Sequence, residues 1–138
     1  MGIAMKITTL VARNLLGLMF VVFGLNGFLH FLPMPPPPAG LAARYLTVLS
    51  ASHYMVPVFL LQLLGGILLL ANRFVPVALV LLGPVIVNIL MYHVLMAPAG
   101  LLPGLAALAL WLLVFYRMRA AFASVFTIRE ESPDRKGN

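Results

Sequence analysis

The stretch from Phe74 to Tyr116, FVPVALVLLGPVIVNILMYHVLMAPAGLLPGLAALALWLLVFY, decides the fold, because its 43 residues include no Asp, Glu, Lys or Arg. A helix crosses a membrane with about 20 apolar residues, so this stretch is long enough for two crossings. Ala97-Pro98-Ala99-Gly100 and then Pro103-Gly104 interrupt it with residues typical of turns. The sequence therefore predicts two membrane helices, over about residues 75–96 and 101–117.

Two more apolar stretches precede this one, over about residues 10–32 and 54–72. The first is longer than the core of about 7–15 residues found in a signal peptide, and it ends in prolines instead of a cleavage site. We therefore interpret it as a retained span. The sequence predicts a single membrane domain over residues 1–138, an all-α integral membrane four-helix bundle with a tail over residues 118–138.

Composition supports a membrane environment. The chain is 63% hydrophobic and 9% charged, with a mean hydropathy of +1.09, whereas a soluble domain is about half apolar and about a quarter charged. The net charge of +6 is compatible with nucleic-acid binding, but the basic residues lie almost wholly at the ends of apolar stretches, where they set membrane topology. We therefore expect the lipid bilayer as a partner, and no nucleic acid.

The distribution of basic residues predicts the orientation. Four crossings place both termini on one side, and Arg44 is the single basic residue expected on the other. The positive-inside rule then makes the N- and C-termini cytoplasmic and the long loop between helices 1 and 2 extracytoplasmic. That loop opens with a stiff proline run, Pro33 to Pro38. Leu41, Tyr45, Val48 and Leu49 come next at helical spacing, which predicts a short helix in the membrane interface.

Polar residues inside the spans gather in the predicted outer half, and a buried polar group in a membrane needs a reason. Three spans contribute them, and we consider them candidate ligand-binding residues: Asn26, His30, Gln62, Asn88, Tyr92 and His93. A pocket open towards the outer side is one interpretation. The alternative is that the amides only hydrogen-bond between helices and the histidines lie among lipid headgroups.

The residue inventory limits the chemistry of the chain. It has no cysteine, and no Asp or Glu precedes Glu130, so the usual nucleophile–base pairs cannot form in the spans and no metal site is predicted. Whether the protein is an enzyme stays open. His30 and His93 have comparable depths, but two histidines alone are a weak signal for haem b, so we expect no cofactor in the chain itself.

Three segments resemble DoxX-like bacterial membrane proteins: Ala12 to Leu18 with Phe23 to Phe31, then Leu63 to Pro76, and finally Pro84 to Leu90 with Ala97 to Gly100. The resemblance covers nearly the whole chain and implies four helices in the inner membrane. It also implies association with an oxidoreductase system. Many relatives have a Glu where this chain has Gln62, and an amide cannot transfer a proton as a carboxyl does.

The sequence is compatible with three functional hypotheses. The first is an inner-membrane subunit, or a site for a quinone or other small hydrophobic ligand, beside a redox partner protein. The second is a non-enzymatic membrane assembly or anchoring protein, and a homo-oligomer is compatible with either. The third is a transporter of a small neutral or lipidic solute, which the absence of an ionisable residue at mid-depth disfavours.

Overall fold

The fold is described by a computed structural model over residues 2–127. Five α-helices form it: α1 (Ile3–Leu29), α2 (Leu41–Ala51), α3 (Met55–Leu70), α4 (Val75–Met96) and α5 (Leu101–Met118). Two 3-10 helices, Pro98–Gly100 and Arg119–Phe126, precede and follow α5. No strand occurs within residues 2–127, which confirms the predicted all-α class.

Prolines mark the beginnings of three helices. Pro57, Pro76 and Pro103 lie in the first turns of α3, α4 and α5, where the missing N–H of proline costs no intrahelical hydrogen bond. The proline run 33–38 has no regular secondary structure, and α2 comes after it as the predicted short helix. These local signals therefore place the helix starts correctly.

Helix α1 differs in length from the first predicted span. It begins at Ile3, seven residues before the predicted boundary, and it ends at Leu29. The hydroxyls of Thr8 and Thr9 donate to the carbonyls of Ala4 and Met5 at 2.8 and 2.9 Å, so the helix satisfies its own polar side chains there. Residues 3–9 are only weakly apolar, so hydropathy alone does not predict that the helix includes them.

Four helices pack in a ring, in which α1 and α4 each contact both α3 and α5. Helix α2 lies outside the ring, against α4. The helices α1 and α3 approach closely at two glycines, since a Cβ added to Gly66 would lie 2.8 Å from the carbonyl oxygen of Gly17. The largest fully buried side chains are Leu16, Leu69, Leu79, Leu82, Ile86 and Val114.

Helices α4 and α5 contact each other near Pro84, which lies inside α4. The indole N–H of Trp111 donates to the carbonyl of Leu79 at 3.0 Å, in the turn before the proline. The Trp111 ring also stacks on Phe115, with centroids 4.9 Å apart. An indole thus binds the backbone of α4 close to the turn where proline removes a donor.

The outer surface of the ring is largely apolar. Leu15, Leu18, Val80 and Leu112 are each at least half exposed, which is a liability in water but suits a lipid-facing helix. Three helical segments are long and apolar enough to span a membrane: Ile3–Leu29, Val75–Met96 and Pro98–Phe126. A fourth is obtained if α2 and α3, which meet at an 84° bend, count as one span. These features are those of a multi-pass membrane protein.

Candidate ligand site

A cavity of about 180 Å³ lies between α2, α3 and α4 and is named the Gln62 cavity. Four of the six predicted ligand-binding residues line it: Gln62, Asn88, Tyr92 and His93. Its other walls are Tyr45, Leu46, Leu49, Tyr54, Met55, Val58, Val85 and Ile89. Polar residues of two of the three predicted spans therefore line one cavity, while those of the first span do not.

Gln62 is the buried polar residue of this cavity. Its side chain is 6% exposed, yet it forms no hydrogen bond with any residue from 2 to 127. A side-chain amide offers two donor hydrogens and an accepting oxygen. The nitrogen and oxygen of this amide are not fully enclosed by protein, so they are accessible from the cavity. A molecule that enters the cavity could therefore pair with the amide.

Tyr92 and His93 form the polar wall contributed by the end of α4. Tyr92 stacks on Tyr45 of α2, with ring centroids 5.9 Å apart and planes inclined by 22°. Nδ1 of His93 lies 3.0 Å from the carbonyl oxygen of Ala97. Because a carbonyl only accepts, Nδ1 carries the proton of this hydrogen bond, and Nε2 of the neutral ring keeps a lone pair. His93 can therefore accept a proton or a hydrogen bond at Nε2.

The position of the His93 ring depends on the turn after α4. A Cβ added to Gly100 would collide with the imidazole ring, so the absence of a side chain at Gly100 leaves room for it. The turn glycine and the carbonyl of Ala97 together define where the ring lies. Asn88, one turn earlier on α4, is exposed along one edge of the cavity.

Asn26 and His30 lie at the end of α1 and are not among the residues that line the Gln62 cavity. The Asn26 side-chain oxygen accepts from the N–H of Leu32 at 2.7 Å, and its backbone carbonyl accepts from the N–H of His30 at 2.9 Å. His30 is exposed and adopts a left-handed conformation with φ of 50°. Asn26 therefore terminates a helix, in accord with a structural role for this amide.

The contribution of α2 to the cavity was not predicted. Tyr45, Leu46 and Leu49 line the cavity, whereas Leu41 and Val48 are 68% and 65% exposed. The helical spacing of these apolar residues predicts the helix. It does not indicate which face contacts α4, because both faces carry apolar residues. The stacking of Tyr45 on Tyr92 determines the face that packs inward.

The dimensions of the Gln62 cavity suit one small ring. An apolar cavity of about 150 Å³ accommodates benzene, and this cavity measures about 180 Å³. Its walls are mainly apolar, with two amides, three phenols and one imidazole among them. Among residues 2–127, no group of three or more His, Asp or Glu side chains could hold a metal ion. The arrangement is suited to hydrogen-bonding the head of a lipophilic molecule.

Comparison of the chain with protein-family models, curated proteins and solved structures finds no match. The resemblance to DoxX-like proteins stays a prediction. The strongest basis for a functional inference is therefore the Gln62 cavity itself, with its unpaired amide and its histidine.

Proposed function

We propose that this chain is a multi-pass protein of the bacterial inner membrane that binds the head of a quinone, or of a similar small lipophilic carbonyl compound, in the Gln62 cavity. Membership of the DoxX-like family and association with an oxidoreductase system belong to the same proposal. The observation that carries it is Gln62, a residue that is 6% exposed and whose amide borders the cavity without a hydrogen bond to any residue from 2 to 127.

The orientation that we propose places the chain termini in the cytoplasm. Lys6, Arg13 and Arg117 line a second cavity at the end of the ring remote from the Gln62 cavity. Arg44 lies on α2, beside the Gln62 cavity. This asymmetry of basic residues supports a cytoplasmic position for the end with Lys6, Arg13 and Arg117. It also supports an extracytoplasmic position for the end with Arg44. The Gln62 cavity would then lie in the outer half of the membrane.

The side chains of the Gln62 cavity match the chemistry of a quinone head. The Gln62 amide would donate to a quinone carbonyl, and Nε2 of His93 would accept from a hydroquinone O–H. Conversion of a quinone to its hydroquinone takes up two electrons and two protons. His93 could pass protons because Nδ1 holds one proton and Nε2 can accept another. Since the chain has no cysteine, thiols cannot carry the electrons, which we assign to a redox partner protein.

A direct titration tests this proposal. Purified protein in neutral detergent is titrated with a quinone that has a single isoprene unit, and binding is followed by calorimetry. Loss of one hydrogen bond to a buried group costs about 1–3 kcal/mol, so Gln62→Leu should raise Kd by about ten-fold or more. Asn14→Leu removes an amide from α1 away from the cavity, so it should leave Kd unchanged.

The competing assembly hypothesis makes the opposite prediction for the same variants. If Gln62 only joins helices, quinone binding is absent from the wild type, or it is equally strong in the wild type and in Gln62→Leu. Either result would refute the ligand-binding proposal. In that case the amides of the bundle would be structural, as Asn26 is at the end of α1.

A further inference from the structure

A second cavity, of about 470 Å³, lies at the other end of the ring and is named the Arg13 cavity. It is formed by the beginning of α1, the turn between α3 and α4, and the end of α5. Three basic side chains line it: Lys6, Arg13 and Arg117. None of these residues belongs to the Gln62 cavity, so a ligand of the Arg13 cavity would bind independently of a quinone.

Arg13 is the central residue of this cavity because it is a buried cation. Its side chain is 9% exposed, and Nη1 donates to the carbonyl of Leu69 at 2.7 Å. This bond attaches α1 to the last turn of α3, whose carbonyls form the negative end of the helix dipole. A guanidinium has five N–H donors. The other four bond to no residue from 2 to 127.

The described surroundings of Arg13 are basic, because Lys6 and Arg117 line the same cavity. Residues 2–127 contain no Asp or Glu, since the three acids of the chain are Glu130, Glu131 and Asp134. Helix α4 begins at Val75 in the cavity wall without a side-chain cap, so its positive dipole end lies there, although Pro76 in its first turn has no N–H to donate. A buried charge needs compensation, which an anion in this cavity would supply to Arg13.

We propose that the Arg13 cavity binds a phosphate group, the chemistry shared by the headgroup of an anionic lipid and by free inorganic phosphate. Guanidinium donors and an uncapped helix N-terminus are the groups that bind phosphate oxygens in proteins. Basic pockets between membrane helices on the cytoplasmic side hold anionic headgroups in the same way.

Size and wall composition favour the lipid over the free ion. The Arg13 cavity, at about 470 Å³, has many times the volume of about 30 Å³ that one water molecule occupies in the liquid. An inorganic phosphate would therefore fill only part of it. Leu10, Val114 and Met118 form apolar walls beside the cations. Leu10 is 50% exposed on the apolar outside of the bundle. A lipid could place its phosphate near Arg13 and its glycerol and upper acyl carbons along these walls.

Native mass spectrometry of the full chain, delipidated in neutral detergent, tests this proposal. The protein is mixed separately with phosphatidylglycerol, phosphatidylcholine and inorganic phosphate. Lys6→Gln removes one exposed cation of the cavity, and Arg44→Gln is the matched control because it removes one exposed cation on α2, away from this cavity. A basic residue near an anionic group contributes roughly 1 kcal/mol, so Lys6→Gln should reduce phosphatidylglycerol affinity about five-fold.

The expected result is one phosphatidylglycerol per chain, weaker binding of phosphatidylcholine, and a loss in Lys6→Gln that Arg44→Gln does not show. The same variant dependence with inorganic phosphate alone would support the site and identify the free ion as its ligand. Equal losses in both variants, or no binding of either ligand, would overturn the proposal. Binding that appears only after Glu130→Gln, Glu131→Gln and Asp134→Asn are combined would overturn it too, because tail carboxylates would then be the occupants.

Discussion

At the scale of the residue, two buried amides of this bundle have opposite environments. Asn26 and Gln62 are 7% and 6% exposed. The side-chain oxygen of Asn26 accepts from the N–H of Leu32, so it stabilises the end of α1. Gln62 lacks such a bond within residues 2–127 and borders a cavity. Burial alone therefore does not distinguish these two amides, whereas their hydrogen bonds do.

Replacement of Gln62 by Leu should stabilise the ligand-free protein while it weakens quinone binding. The amide has no hydrogen bond to residues 2–127, whereas a leucine of similar volume packs against the apolar cavity walls without a polar group to desolvate. We expect a gain of about 1 kcal/mol in the free energy of unfolding. Single polar side chains in membrane helix bundles change stability by similar amounts. Thermal unfolding in detergent without quinone measures this.

Asn26→Leu is the matched comparison, and it should have the opposite sign. The variant leaves the N–H of Leu32 without its acceptor, so we expect a loss of about 1–2 kcal/mol. Quinone affinity should stay unchanged, since Asn26 does not line the cavity. A destabilised Gln62→Leu would mean that this amide also bonds within the protein.

The sequence predicts the depth of polar side chains but not the direction in which they point. Counting residues along each span places Asn26, Gln62 and Asn88 at similar depths. The rotation of each helix about its axis decides which of them meet, and it depends on packing across the whole ring. For that reason Gln62 and Asn88 both line one cavity, whereas Asn26 does not line it.

At the scale of the element, the contact between α1 and α3 depends on two glycines that face each other. A Cβ on Gly66 would lie 2.8 Å from the carbonyl oxygen of Gly17 and 2.9 Å from the backbone nitrogen of Val21. Backbone atoms cannot move aside as side chains do. Small residues at a helix interface allow this close approach in membranes.

Gly66→Ala should therefore separate α1 from α3 and destabilise the protein by about 1–3 kcal/mol. The control is Gly83→Ala in α4, where an added Cβ would lie 3.5 Å from the Trp111 ring, an ordinary contact distance. Thermal unfolding of both variants in the same detergent provides the measurement. Equal stability of the two would show that α1 and α3 are not in close backbone contact at this glycine.

Helix α2 closes one side of the Gln62 cavity, and Tyr45 should matter for binding more than for folding. Tyr45→Ala removes the ring that stacks on Tyr92 and opens this wall. Stacked aromatic pairs contribute about 0.5–1.5 kcal/mol, so we expect Kd for quinone to rise about three- to ten-fold. Val48→Ala, on the exposed face of α2, should leave Kd unchanged. Equal effects of the two variants would show that α2 does not form the site.

Most helix boundaries can be predicted from proline, glycine and hydropathy signals, as in the pair α4 and α5. Helix α3 is less obvious because its 16 residues span about 24 Å, short of the roughly 30 Å hydrocarbon core. The 84° bend before it arises in a turn where His53 has a φ of 60°. A left-handed residue of this kind is not detectable from hydropathy.

At the scale of the whole molecule, the absence of cysteine makes the proposed topology directly testable. Single cysteines are introduced by Ala39→Cys in the proline-rich loop and Ser124→Cys after α5, both at exposed positions. In spheroplasts, a membrane-impermeant maleimide should label the first variant and spare the second until the membrane is permeabilised. The reverse pattern would place the Gln62 cavity on the cytoplasmic side.

The most direct measurement is native mass spectrometry of the protein extracted gently from bacterial membranes, with the wild type, Gln62→Leu and Asn14→Leu compared side by side. We expect the wild type and Asn14→Leu to carry one quinone per chain, and Gln62→Leu to be free of it. A wild-type chain without a quinone or other lipophilic carbonyl compound, or a quinone retained equally in Gln62→Leu, would contradict ligand binding in the Gln62 cavity.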